Sequence, residues 1–231
     1  MSLAEYSARK DIAQTVVPRV AAKEALTGSA SCGILLNMSE HIPTREEAYD
    51  LLTRYTKTEG LIKHALAVEA VMRYQARKRG HDEEKWGVIG LVHDLDWEQF
   101  PEEHCSKTES ILREAGWPEE YIHAVLSHAW GMFTDIEPEH EMEKVLYTVD
   151  ELTGLITATA IMRPSKSVLD LTPKSVKKKW KDRSFAAGVD REVVQKGADM
   201  LGEELTGVME DTIAGMREAA EELGLKGNPE G

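Results

Sequence analysis

The sequence predicts an all-α protein. Apolar residues recur at three- and four-residue spacing along most of the chain. No run of alternating β-branched residues occurs, and hairpin-type turn dipeptides are absent. Capping residues, glycines and prolines mark where the periodic segments begin and end. Asp11 to Leu26 has a helical pattern, followed by a small-residue stretch from Thr27 to Gly33. Thr44 to Tyr55 reads as a short helix, because Thr44 and Glu47 have the spacing of a capping box after Pro43. Glu59 to Arg79 is a longer helix with the stripe Leu61, Ala65, Val68 and Met72, closed by Gly80. Glu83 to Asp94 is apolar on most sides and is expected in the core. Ser106 to Ala115 stops at Gly116, and Pro118 starts a helix over Glu119 to Trp130 as its first residue. Glu141 to Ile161 carries Met142, Val145, Leu146, Val149, Leu152 and Ile156 on one side and ends before Pro164. Thr172 to Lys181 and Arg191 to Leu223 supply about three more helices.

Composition narrows the function classes. The 231 residues include 41 acidic and 28 basic side chains, a net charge of −13. Such a chain repels polyanions, so neither long nucleic acid nor an anionic membrane is an expected partner. No apolar run is long enough to span a bilayer. Two cysteines, Cys32 and Cys105, make neither a disulfide framework nor a cysteine zinc cage, and a reducing cytoplasm is the expected location. One segment opposes the overall charge: Lys166 to Arg183 holds seven basic residues against Asp170 and Asp182.

The chemistry lies with the histidines and aspartates. His93 and Asp94 directly follow the apolar run from Trp86 to Val92. A buried carboxylate costs several kcal/mol unless it is paired or metal-bound. His64 falls beside Val68 and Val71, on the flank of its helix's apolar stripe, and Asp150 falls on the flank of its own. Three helices therefore each present an imidazole or a carboxylate at the margin of a core face. Two neutral nitrogens with two carboxylates suit a borderline or hard divalent ion: Mn²⁺, Fe²⁺, Co²⁺, Ni²⁺, Zn²⁺ or Mg²⁺.

In this order, His64, His93-Asp94 and Asp150 resemble the HD superfamily of metal-dependent phosphohydrolases, an all-helical family, and within it the HDIG-type branch. The resemblance spans roughly Thr44 to Leu171. It implies an HD-type helical bundle over 41–225, with a metal core at about 59–161 and C-terminal helices at 172–225, after an N-terminal extension over 1–40. It implies His64, His93, Asp94 and Asp150 as ligands of one ion, with His93 and Asp94 as the catalytic pair. His104 and His128 stand where some members complete a second site bridged by the doublet aspartate, so one ion or two are expected. The chain also departs from the pattern. Leu95-Asp96 replaces Ile-Gly after the doublet, no Gly-Tyr-Pro element occurs, and Trp97-Glu98 stands where guanosine-tetraphosphate hydrolases carry Glu-Asp.

The implied activity is hydrolysis of a small phosphorylated substrate, a phosphomonoester or phosphodiester such as a nucleotide, by metal-activated water. Developing phosphoryl charge needs fixed cations, and Lys174, Lys178 and Lys181, on one helical face, are the expected phosphate contacts, with Arg163 or Lys166 as helpers. Two other readings use the same residues: a di-iron oxygenase holding six His/Asp ligands, and a nucleotide-binding sensor without turnover. An oligomer is compatible with each. His41, His81, His123 and His140 read as surface residues, the tryptophans as packing anchors, and Cys105 as a buried thiol.

Overall fold

A computed structural model describes residues 41–229. The expected helix over Asp11–Leu26, the small-residue stretch after it and Cys32 lie outside the described residues. Nine α-helices are found among the described residues, with no strand beyond one isolated bridge between Trp130 and Thr134. In chain order they are α1 (Arg45–Tyr55), α2 (Glu59–Arg79), α3 (Glu83–Val92), α4 (Ser106–Glu114), α5 (Glu119–Ser127), α6 (Glu141–Ile161), α7 (Pro173–Trp180), α8 (Arg191–Leu201) and α9 (Leu205–Glu218). A short 3₁₀ turn, Pro101–Glu103, precedes α4. No helix among the described residues is long and apolar enough to cross a membrane.

Local signals set most of the boundaries. Thr44 caps α1 reciprocally: the Glu47 amide donates to its hydroxyl at 3.2 Å, and its own amide donates to the Glu47 carboxylate at 2.8 Å. Gly80, at φ 74°, ends α2 in the left-handed conformation that glycine adopts at no steric cost. Asp82 caps α3, whose last seven residues, Trp86 to Val92, are all buried. Several boundaries differ from expectation. α3 ends at Val92 rather than Asp94, because the chain tightens into i→i+3 bonds from Leu95 to Val92 and from Trp97 to Asp94. α5 ends at Ser127 rather than Trp130 for the same reason, with i→i+3 bonds from His128, Ala129 and Trp130. Pro118 is the cap of α5, at ψ 145°, rather than its first helical residue. α4 is shorter than expected by a residue at its C-terminal end and α7 by a residue at each end, the normal fraying range, and α9 closes at Glu218 rather than Leu223.

α2 and α6 are the central pair of the bundle. α3 and α9 pack on α2, while α5, α7 and α8 pack on α6. Val68, Val71 and Met72 of α2 and Leu146, Leu152 and Ile156 of α6 are fully buried. The α9–α2 contact depends on Gly215. A Cβ there would stand 2.7 Å from the Val71 Cα, a backbone atom that cannot move alone. Gly215→Ala is therefore expected to destabilise the fold by about 1–3 kcal/mol through overpacking. This exceeds the gain of about 1 kcal/mol from replacing a helical glycine. Thermal unfolding checks it, and a raised Tm would contradict the packing described.

Candidate metal centre

Three helices bring the site together. His64 projects from the middle of α2, His93 and Asp94 leave the end of α3, and Asp150 projects from α6. All four are buried. The His64 Nε2 lies 3.0 Å from the Asp150 Oδ1 and 3.2 Å from the His93 Nε2. The His93 Nε2 lies 3.3 Å from the same Asp150 oxygen. The Asp94 Oδ2 is 3.8 Å from the His64 Nε2 and 3.7 Å from the His93 Nε2. These four ligand atoms lie within 4.8 Å of one another and could hold a metal ion.

The other Asp94 oxygen faces a second nest. Its Oδ1 is 3.4 Å from the Nε2 of both His104 and His128, which are 3.3 Å apart. Cys105 joins these two histidines in a buried group with metal-ligand spacing. Cys105 holds φ 69°, a left-handed conformation unusual for a non-glycine residue, at the entry to α4. Sequence reading treats it as a buried thiol. Buried it is, and its place beside both rings also makes it a possible soft donor.

Outer contacts aim the imidazoles inward. The Nδ1–H of His93 donates to the Gly90 carbonyl at 2.8 Å, and that of His128 to the Val125 carbonyl. The Thr153 hydroxyl donates to the Asp150 carbonyl at 2.8 Å and faces the His64 Nδ1 at 3.4 Å. The His104 Nδ1–H donates to the Asp96 Oδ1 at 2.7 Å. Each ring thus turns its Nε2 toward the carboxylates, in the tautomer that binds metal. Asp96 also accepts from the Thr108 amide at 2.8 Å, capping α4 where Cys105 supplies no side-chain cap. Asp96→Ala is expected to weaken metal binding at the His104–His128 nest by about 10–100-fold, leaving the His64 nest intact. Titration with Co²⁺ checks this, and equal affinity at both nests would contradict it.

The electrostatics match a cation site. Burial works against protonation of His93, but Asp94, Asp150 and the Gly90 carbonyl outweigh it and hold its pKa above the ordinary value. For His104, burial is likewise outweighed by Cys105, Asp96 and Asp94, and its pKa stands well above the ordinary value. Burial wins at His128, whose pKa is lowered. Trp97 and Phe133 meet the His104 ring edge-on, at 4.9 Å each, and wall that side with aromatic surface.

The expected phosphate contacts lie elsewhere on the surface. Lys174 and Lys178 are exposed on α7, and Lys181 is exposed at its C-terminal end. A cavity of about 430 Å³ opens beside His64, between α2, α6 and the turn over 223–225. Its cation is Lys63, which sequence reading passed over although it adjoins His64. Asp96 and Thr153 were also missed as supports. The remaining histidines are peripheral: His41 pairs with Glu47, His81 with Glu141 and the half-exposed His123 with Glu143, while His140 caps α6.

Residues 61–155 match the family model of the HD domain, which supports placement in the HD superfamily. That segment contains all six of His64, His93, Asp94, His104, His128 and Asp150. HD-domain proteins generally are hydrolases that bind divalent metals. No curated protein and no solved structure matches the chain.

Proposed function

We propose that this protein is a metal-dependent phosphohydrolase of the HDIG type, acting in the cytoplasm on a phosphomonoester or phosphodiester of a small molecule such as a nucleotide. The observation that carries this reading is the division of Asp94, with Oδ2 facing His64 and His93 and Oδ1 facing His104 and His128. His64, His93, Asp94 and Asp150 would hold one divalent ion, and His104, His128 and Asp94 a second. The donor set fits: inward Nε2 atoms and carboxylate oxygens suit Mn²⁺, Fe²⁺, Co²⁺, Ni²⁺ or Zn²⁺ better than Mg²⁺, which favours oxygen alone.

Held by this set, a divalent ion would lower the pKa of bound water to about 7–9, making hydroxide available near neutrality, and would offset charge on phosphoryl oxygens. The chain's own residues prepare the place for that chemistry. The carbonyls of Gly90 and Val125 and the Asp96 carboxylate fix three imidazoles before anything binds, so little ordering remains to be done. Asp94 brings carboxylate charge to both nests and sets their spacing. Trp97 and Phe133 keep bulk water from the His104 side, which strengthens every charge interaction inside.

The test is a screen of phosphate esters against protein loaded with Mn²⁺, Fe²⁺, Co²⁺, Ni²⁺ or Zn²⁺. Metal-dependent release of inorganic phosphate, or of a phosphomonoester from a diester, is the expected result. Dioxygen consumption by an iron-loaded protein without phosphate release favours the di-iron oxygenase instead. Nucleotide binding without any product favours the sensor.

A further inference from the structure

We propose that the cavity beside His64 seats the substrate, that Lys63 binds its phosphate, and that the substrate is a phosphate ester with a compact apolar or aromatic body. The inference rests on the phosphohydrolase reading. The cavity, about 430 Å³, lies near the lower end of the roughly 300–1,000 Å³ typical of small-ligand sites. It adjoins the metal centre through His64, which lines the cavity and belongs to the ligand group. Thr157, which also lines it, stands seven residues and two helical turns along α6 from Asp150.

The cavity lining holds one ammonium, Lys63, and its ion-pair partner Glu59. Lys63 is half-buried, with its stem on the wall and its ammonium 2.6 Å from the Glu59 carboxylate. Glu59 is mostly exposed, so the pair is a solvated i,i+4 contact that an incoming phosphate displaces at little cost. The turn at Gly224 lies against the same ammonium: a Cβ at that glycine would stand 3.1 Å from Lys63 Nζ. This wall is fixed, since the Val168 amide donates to the Leu225 carbonyl at 2.8 Å and the Ser167 hydroxyl to the Lys226 carbonyl at 2.6 Å. Lys63 is thus confined at the cavity wall, next in sequence to a metal-facing histidine. Lys174, Lys178 and Lys181 line no part of it.

Ala67, Ile161, Leu223 and Leu225 make one part of the lining apolar, beside the polar Thr58 and Thr157. Leu225 lines the cavity, as does Ile161, which is 46% exposed at the end of α6. An apolar stretch of this kind beside a cation gives the body of a phosphate ester a place to pack. A free inorganic anion has no use for it, whereas an ester with an apolar body does.

Isothermal titration of the Mn²⁺-loaded full chain tests this, with inorganic phosphate and the non-hydrolysable phenylphosphonate as probes. Wild type is expected to bind phenylphosphonate more tightly than phosphate, and Ile161→Ser to remove that preference. Lys63→Met is expected to weaken both by about tenfold or more, the usual worth of a charge-assisted hydrogen bond. Lys63→Arg should recover most of the loss, and Mn²⁺ stoichiometry should stay at the wild-type value throughout. Wild-type affinity in Lys63→Met, or a loss in Lys178→Met with Lys63→Met unaffected, overturns the inference alone. No binding of either probe to the Mn²⁺-loaded wild type overturns the phosphohydrolase reading with it.

Discussion

Replacing Asp94 with asparagine is expected to reduce bound metal from two ions to fewer than one and to lower phosphate-ester turnover by at least about a thousandfold, the scale of losing the activated nucleophile and charge stabilisation together. The substitution keeps the size of the side chain but removes the charge that faces four imidazole nitrogens. Its two oxygens face one nest each, so the charge of this one carboxylate serves both. The fold should persist, because Asp94 stands at the end of α3 rather than within the apolar packing. Far-UV circular dichroism would then match metal-free wild type, while elemental analysis and turnover would not. Turnover within tenfold of wild type would remove Asp94 from the chemistry.

Metal removal should have the second largest effect, on stability, and that effect should depend on pH. At an ion concentration a hundred times its dissociation constant, one bound ion adds about 2.7 kcal/mol. For a domain of this size each kcal/mol moves Tm by about 2–4 °C, so chelation should lower it by about 5–10 °C for each ion removed. The sign of the pH dependence follows from the histidines. In metal-free protein the pKa of His93, and more so of His104, is raised above the ordinary value. Their protonation thus stabilises the metal-free fold below about pH 6.5, the unfolded value, and this contribution is lost as pH rises through the folded values. Metal needs the deprotonated rings, so its stabilisation grows over the same window. Thermal melts with Mn²⁺ and with chelator should diverge as pH rises and converge as it falls. Equal melts at every pH would contradict the arrangement.

The sequence showed most of the fold because its punctuation is local. Glu141–Ile161 is legible from its stripe and its ends, and Thr44 with Glu47 announces α1. What it hid are helix ends settled by competing hydrogen bonds. Val92 and Ser127 are last residues because the next turns tighten, and apolar periodicity carries no record of that. The site divides in the same way. His64, His93, Asp94 and Asp150 stand out because charged or ionisable groups at the edge of apolar stripes need a reason, and the fold brings them together. Asp96 stays hidden because its partners, His104 and Thr108, become neighbours only when the chain folds back. Lys63 stays hidden because charge density points to the lysines of α7, whereas the wall of a cavity is a property of three distant segments.

The most direct measurement is anomalous diffraction at the edge of the metal found by elemental analysis. Two ions are expected about 3.5–4 Å apart, the spacing of two-metal hydrolytic sites. One should sit among His64, His93 and Asp150 and the other between His104 and His128, with an oxygen of Asp94 on each. Crystals of active protein with no ion there, or with an ion bound elsewhere and these side chains uncoordinated, would contradict it.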